Sequence, residues 1–306
     1  MLVGNPLFTM TPHQHTEAVA AWKNAQVAHA AQPAEVVNPS AVAAMLTDKS
    51  RPTPSAGCRG SELVCPLPGT GKEVEALYAQ LAQAQWTVTA PYDQQHALEE
   101  VVKSAPHPRL LVLATHGTFK ECAPPKNPHD AVVSTDPMLR SGMLFADVTR
   151  VLRSQPPIAG LDDGMLTAME ASAMDLDGTE LVVLSACETA LGEVHAAEGV
   201  FGLRRAFAEA GAQTVMMSMW KVPDETTHQL MAAFFSNWLG GMEKHAALSA
   251  AQQTVRSQPG HGSVLLGRLR PCRPLTSYIL RFVMIRSALW HISMPKIRAL
   301  PPLDRW

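Results

Sequence analysis

Short apolar segments alternate with longer amphipathic ones along most of the chain, from Pro66 onward. The apolar segments, each predicted to be a short buried strand, are residues 86–90, 110–115, 181–185 and 214–219. Helical spacing of apolar positions predicts helices at 73–85, 96–103, 164–173, 197–210 and from Asp224 to Gly240. Buried strands separated by helices are typical of a parallel sheet covered on both faces. The pattern therefore predicts a three-layer α/β/α sandwich with a mostly parallel central sheet.

The two ends of the chain do not continue this rhythm. Residues 1–65 are rich in alanine and proline, with a helix predicted to begin at Thr16. From Arg256 onward, nine lysines and arginines stand against one acidic residue, although the whole chain has a formal charge of -2. This shift predicts an N-terminal segment (1–65), a core domain (66–257) and a basic tail (258–306).

Composition narrows the class of protein. Hydrophobic residues make up 46% of the 306 residues and charged residues 17%, which excludes disordered and coiled-coil chains and predicts a soluble globular protein. The start of the chain lacks a secretory signal, and Arg281 and Arg286 interrupt the most apolar stretch, so we expect no membrane span. Five cysteines without a C-x-x-C pair favour a reduced, cytoplasmic protein. The nearly balanced charge gives no reason to expect nucleic acid as a partner.

Two of the predicted strands end in reactive side chains. The strand at 110–115 is followed by His116 and Gly117, and the strand at 181–185 by Cys187. Because the carboxyl ends of parallel strands lie along one edge of a sheet, the imidazole and the thiol can meet there. Such a pair is a nucleophile with its acid/base partner, and the N–H groups of Gly117 and Cys187 could bind an oxyanion. The alternative is an inert buried cysteine and an ordinary His-Gly turn.

Longer motifs around these residues resemble the CHAT domain family. They are LPGTGKEVEAL (67–77), LVLATHG (111–117), PMLRSGM (137–143), DGMLTAMEASAMDLDGTELVVLSACETALGEV (163–194), AAEGVFGLRRAFAEAGAQTVMMSMWKVPDE (196–225) and a VGNP strand within 2–8. That family is caspase-like and related to separase and the clostripain-type cysteine proteases. The resemblance implies a bacterial cysteine endopeptidase that cleaves protein or peptide substrates, with His116 and Cys187 as its catalytic dyad and no cofactor.

The resemblance also implies where a substrate side chain binds. In relatives, the strand that ends at the MWKVPDE position borders the S1 pocket, and an acidic residue there often holds a basic P1 side chain. Asp224 is the first candidate for this role and Glu188 the second, although Asp224 equally suits the N-cap of the helix that follows. Because the family often follows tetratricopeptide repeats, a protein of that kind is the expected regulatory partner.

The chain departs from the family pattern at both ends. The segment upstream of the VGNP strand is absent, and no strand of the family's terminal type follows Gly260, so we expect the tail to add no strand to the sheet. Apolar residues at helical spacing over 275–292 indicate either an amphipathic basic helix, for which a membrane contact is not the favoured role, or a non-homologous end produced by a frameshift. The departures favour an alternative function: an inactive CHAT-like scaffold or truncated fragment that binds a protein.

Other motifs carry less chemistry. Gly69-Thr-Gly-Lys72 resembles a phosphate-binding loop, but Glu73 stands where that loop requires serine or threonine. His13 and His15 lack the further ligands that a metal requires, so we expect no metal site. Cys122, six residues past His116 in a predicted loop, is expected to be an incidental thiol.

Overall fold

The computed structural model describes residues 1–29, 63–105, 107–119, 137–156, 158, 160–185, 196–218, 224–257 and 282–286. The strands in these ranges are β1 (Leu2–Pro6), β2 (Tyr92–Gln94), β3 (Leu110–Ala114), β4 (Gly117–Phe119), β5 (Ser141–Leu144), β6 (Met165–Thr167), β7 (Leu181–Leu184), β8 (Thr214–Ser218) and β9 (Phe282–Arg286). The helices are α1 (Pro12–His29), α2 (Pro68–Gln83), α3 (Glu99–Lys103), α4 (Pro137–Arg140), α5 (Thr149–Leu152), α6 (Ala168–Ser172), α7 (Ala196–Glu209), α8 (Asp224–Leu239) and α9 (Lys244–Ser257).

The main sheet confirms the predicted α/β fold with a mostly parallel centre. Its strand order is β2-β1-β3-β7-β8-β9, and every pairing from β2 to β8 is parallel. Since successive side chains of a strand point to opposite faces, Val112 packs with residues of α2 and α8, whereas Leu111 and Leu113 pack with residues of α6 and α7. Each face of the sheet therefore buries its own apolar core beneath helices.

A second, smaller sheet was not predicted. It has the order β4-β5-β6, and both of its pairings are antiparallel. The predicted helix at 164–173 is in fact β6 followed by α6, because Thr167 and Glu170 form a capping box that starts the helix only at Ala168. Gly142 allows the close approach of β6, since a Cβ atom there would lie 2.9 Å from the Leu166 carbonyl oxygen.

Two predicted elements near the N-terminal half are displaced. The strand expected at 86–90 is found at Tyr92–Gln94, where it pairs with β1 at the edge of the sheet. Helix α1 begins at Pro12 rather than at Thr16, because Thr11 and Gln14 bond to each other at the start of the helix. Within the helix, the Thr16 hydroxyl donates to the Pro12 carbonyl.

The expectation that the tail adds no strand is wrong. Strand β9 pairs antiparallel with β8 over its full length, from Thr214 opposite Arg286 to Ser218 opposite Phe282. The backbone groups along the edge of β8 need hydrogen-bond partners whatever the side chains are, so a segment without the family's sequence can still pair there. No helix in the described part of the chain is long and apolar enough to cross a membrane.

Candidate active site at the carboxyl edge of the sheet

His116 lies just past the carboxyl end of β3 and is almost completely buried, with 4% of its surface exposed. Its backbone belongs to the small sheet, because the Leu144 N–H donates to the His116 carbonyl at 2.9 Å. The Thr115 hydroxyl also donates to the carbonyl of Leu144. The histidine therefore sits at the junction of the two sheets, where its backbone position is fixed.

Two contacts with described residues orient the imidazole ring of His116. Its Nε2 lies 2.7 Å from the carbonyl oxygen of Cys65, and because a carbonyl can only accept, Nε2 carries the proton and donates it. The ring of Phe8 packs against the imidazole, with 5.3 Å between ring centroids. In a neutral imidazole this arrangement makes Nδ1 the basic nitrogen.

Phe8 is itself held by the loop between β5 and α5. Its carbonyl accepts two hydrogen bonds from Thr149, one from the N–H at 3.1 Å and one from the hydroxyl at 2.8 Å. The Asp147 N–H donates to the Leu7 carbonyl at 3.0 Å, and an Asp147 carboxylate oxygen lies 2.8 Å from Nε2 of His15 in α1. Leu7 and Phe8 are thus attached to Asp147 and Thr149, which follow β5 of the small sheet, and Asp147 in turn contacts α1.

Cys65 contributes more than its carbonyl oxygen, because its side chain is disulfide-bonded. This differs from the expectation of reduced cysteines, since pairing depends on how closely the fold brings two Cα atoms together rather than on spacing along the chain. The other four cysteines lie outside the described residues.

The neighbouring strand end, at Ser185 after β7, is held by a buried carboxylate. The Ser185 N–H donates to the Leu113 carbonyl of β3 at 2.9 Å, and its hydroxyl donates to Glu73 Oε2 at 3.0 Å. Glu73 belongs to α2 and, like Ser185, is buried. The sequence places Glu73 at the start of a predicted helix and Ser185 at the end of a predicted strand, but it assigns neither a role in the site.

Helix α2 reaches this edge because it lies very close to β1. A Cβ atom at Gly4 would lie 3.0 Å from a methyl group of Val74 and 3.1 Å from the carbonyl oxygen of Thr70. The Asn5 N–H donates to the Thr70 hydroxyl at 2.9 Å. These contacts fix the first turns of α2 against the end of β1, which places Glu73 beneath Ser185.

The remaining site residues predicted from sequence are placed only in part. Gly117 is the first residue of β4, directly after His116, and is paired with Met143 of β5. Cys187 and Glu188 lie outside the described residues, as does Cys122. Asp224 is the first residue of α8, but its side chain is not described, so its roles in capping and in substrate binding stay predictions.

A group of charged residues on α3 supports the small sheet from behind. The carboxylate of Glu99, only 1% exposed, accepts the Gly164 N–H at 3.0 Å through Oε2 and lies 3.2 Å from Lys103 Nζ through Oε1. Lys103 also contacts Asp162 at 2.8 Å and Glu170 at 3.2 Å. Burial raises the pKa of Glu99 to about 8, with the nearby Glu170 charge adding to the effect.

Within the described part of the chain, no three His, Cys, Asp or Glu side chains are grouped closely enough to hold a metal ion. Lys103 Nζ lies within 3.2 Å of three acidic side chains, those of Glu99, Asp162 and Glu170.

The class defined by this geometry is an α/β protein with a buried histidine at the carboxyl edge of a parallel sheet. The CHAT domain family model matches residues 8–274 of the chain. The chain therefore belongs to the CHAT domain family, a caspase-like peptidase family. The match also continues past Ser257, where we placed the end of the core domain, into the basic tail.

Curated relatives are similar over a shorter stretch. Tetratricopeptide repeat protein 28 of Mus musculus and the protein of the same name from Homo sapiens are each 38% identical to this chain over 102 residues. That stretch is 33% of this chain and 4% of each relative. The chain thus matches a small part of much longer proteins.

Proposed function

We propose that the protein is a cysteine endopeptidase that cleaves protein substrates through a dyad of His116 and Cys187. Because the nucleophile must be a free thiol, the proposal requires that Cys65 be paired with Cys58, Cys122 or Cys272 rather than with Cys187. The observation that carries this proposal is the state of His116. It is buried at the carboxyl edge of the sheet, and its Nε2 proton is committed to the Cys65 carbonyl, which leaves Nδ1 as the base. A histidine in an ordinary turn needs neither burial nor a fixed tautomer.

The register of the two central strands supports Cys187 as the partner of His116. Strands β3 and β7 are direct neighbours, and Leu113 is paired with Leu184. His116 and Cys187 each stand three residues beyond that pair. Neighbouring strands are about 4.8 Å apart. Two residues that follow a paired position by the same number of residues therefore leave the sheet at the same edge and at equivalent positions along the two strands.

The chemistry then follows in two stages. Nδ1 of His116 takes the proton from the Cys187 thiol, the thiolate attacks the scissile carbonyl carbon, and the imidazolium returns the proton to the leaving amine. Water, deprotonated by His116, hydrolyses the resulting thioester and releases the thiol. The Cys65 carbonyl stabilises the imidazolium, because it accepts the Nε2 proton throughout.

The oxyanion of each stage would be bound by the N–H groups of Gly117 and Cys187. Leu144 N–H donates to the His116 carbonyl, so this pair of residues occupies a hydrogen-bonded position of the β4–β5 ladder. Hydrogen-bonded and non-hydrogen-bonded pairs alternate along an antiparallel ladder. The next pair, Gly117 with Met143, therefore directs the Gly117 N–H away from β5, and glycine has no side chain to block an approaching carbonyl.

Substrate preference and regulation follow from the family. An acidic residue in the S1 pocket, Asp224 first and Glu188 second, would select lysine or arginine at P1 through a charge-assisted hydrogen bond. The similarity to tetratricopeptide repeat protein 28 favours a protein of the tetratricopeptide type as the regulatory partner.

The proposal is tested by labelling the purified protein with an irreversible peptidyl inhibitor that carries lysine at P1, and by assaying a library of peptides. We expect the label on Cys187, loss of cleavage in Cys187→Ala and His116→Ala, and nearly normal cleavage in the matched control Cys122→Ala. A folded protein that neither takes the label on Cys187 nor cleaves any peptide would instead favour an inactive, protein-binding scaffold.

A further inference from the structure

The buried carboxylate of Glu73 is not used by the proposed chemistry, although it lies at the same edge of the sheet. Glu73 is 6% exposed, and Ser185, whose hydroxyl it accepts at 3.0 Å, is 7% exposed. Burying a carboxylate costs free energy unless hydrogen bonds or a paired charge compensate for the lost hydration. The helix of Glu73 packs closely against β1 at Gly4, where a Cβ atom would lie 3.0 Å from a methyl group of Val74.

Ser185 connects the Glu73–Ser185 pair to the proposed nucleophile, because it lies two residues before Cys187 in the chain. Ser185 follows β7 immediately, and its N–H is already bonded to the Leu113 carbonyl of the neighbouring strand. Cys187 is two residues further along the chain, so its Cα lies within about 7 Å of that of Ser185. Two hydrogen bonds, one from the backbone and one from the side chain, thus fix the last residue before the Ala-Cys step.

We infer that Glu73 is a positioning residue for Cys187 and acts through the hydroxyl of Ser185. The inference rests on the proposed function, since it concerns the same dyad. Glu73 fixes the orientation of Ser185, the residue from which the chain continues to Cys187. Helix α2 in this way couples β1 to the nucleophile, while the contacts of His116 hold the base independently.

Alkylation of Cys187 by iodoacetamide tests the inference without any knowledge of the substrate. An ordinary thiol is only about 1% ionised at about pH 6.5, so rapid reaction there requires a thiolate stabilised by protonated His116, whereas at about pH 9.5 most thiols are ionised. The reaction is followed on the Cys187 peptide by mass spectrometry at both pH values, and thermal melting confirms that each variant is folded.

We expect Ser185→Ala to slow alkylation at the lower pH by about tenfold, the loss of one hydrogen bond to a charged group. Glu73→Gln keeps an acceptor oxygen for the Ser185 hydroxyl but loses the charge that strengthens the bond, so we expect it to slow the reaction less. The rates at the higher pH should stay close to that of the wild type. The double variant should react no more slowly than Ser185→Ala, because both changes act on the same hydrogen bond. Ser185→Thr keeps the hydroxyl and should react at the wild-type rate. The control is Lys72→Gln, an exposed neighbour of Glu73 on α2, which should also match the wild type.

Glu73→Gln also removes a negative charge, which alone would favour the thiolate and speed the reaction. A faster rate in Glu73→Gln, an unchanged rate in Ser185→Ala, or additive losses in the double variant would therefore overturn the inference. If the inference about Glu73 fails but His116→Ala slows alkylation in the same assay, the proposed dyad of His116 and Cys187 is still supported. A wild-type rate no faster than that of His116→Ala would overturn both. Should Glu73→Gln fail to fold, Ser185→Ala and Ser185→Thr decide the matter by themselves.

Discussion

The two neighbouring strand ends that form the candidate site are held by different kinds of contact. After β3, His116 is fixed by an aromatic ring, a backbone carbonyl and the small sheet. After β7, Ser185 is fixed by a backbone bond and by one buried side chain, Glu73. Among the described residues, the first end is held by three kinds of contact, whereas the second is held by one backbone bond and one pair of side chains. A base that must keep one tautomer benefits from rigid packing, and a nucleophile can be adjusted by one hydrogen bond.

The largest effect is expected on the histidine side, at Phe8. Phe8→Ala removes the ring that packs on the imidazole from a buried cluster with Val64, Leu144 and Val148, so we expect a loss of about 3–5 kcal/mol in the free energy of unfolding. Urea denaturation measures this loss, and Phe8→Leu, which keeps most of the apolar volume, should lose clearly less. Equal stabilities of Phe8→Ala and the wild type would show that His116 is not held by packing.

On the β7 side of the site, the stability of the sheet edge at β8 depends on strand β9 of the tail. A chain that ends at Ser257 lacks β9 and exposes the edge of β8, so we expect its free energy of unfolding to fall by roughly 2–4 kcal/mol, at about 0.5–1 kcal/mol for each lost hydrogen bond. It should also aggregate more readily, because an unpaired edge recruits other strands.

Thermal melting and light scattering measure both effects of the truncation, and a chain that ends at Met294 is the control because it keeps Phe282–Arg286. An unchanged melting temperature after truncation at Ser257 would mean that the tail is an appendage.

The free energy of unfolding should depend on pH through Glu99, the buried acid of α3 that bonds to Gly164 next to the small sheet. Because burial raises the pKa of Glu99 to about 8, the folded state binds a proton that the unfolded state releases near 4.5. Stability should therefore fall as the pH rises through this window, by at most about 1.4 kcal/mol per pH unit. Denaturation of Glu99→Gln between pH 5 and 7 should show a flatter profile than the wild type. A wild-type stability that rises with pH, and loses that rise in Glu99→Gln, would contradict the buried, protonated carboxyl.

The smallest effect is expected at Asp224, and it concerns specificity. If its carboxylate lines S1, Asp224→Asn should reduce the preference for basic over neutral P1 residues by about two- to tenfold, the contribution of a partly exposed charged pair. The melting temperature should not change, since asparagine caps a helix almost as well as aspartate. Paired peptides that differ only at P1 measure the preference. Equal turnover of both peptides by the wild type would remove the acidic pocket.

Much of the main sheet could be predicted from the sequence because its strands are continuous apolar segments. The strands β3, β7 and β8 are each found close to their predicted bounds, and His116 lies at the predicted strand end. The small sheet could not be predicted, since β4 and β6 have three residues each and their pairing brings together distant parts of the chain. Strands that short show no recognisable alternation.

The support of the site was also invisible in the sequence, for a different reason. The Cys65 carbonyl is a backbone group that no residue type encodes, and Glu73 looks like any other glutamate on a helix until the packing of α2 buries it. The tail strand β9 pairs through backbone groups, so its lack of the family's terminal motif was no guide to its conformation. Side-chain chemistry at the ends of strands is therefore easier to predict than what holds it.

The distance between Cys187 Sγ and His116 Nδ1 in a crystal structure tests the central claim most directly. We expect the two atoms to lie within about 4 Å, allowing for the looser geometry of an unliganded site, with Nε2 still bonded to the Cys65 carbonyl. A thiol that points to the other face of the sheet, or that meets Nε2 instead of Nδ1, would contradict the dyad as we have described it.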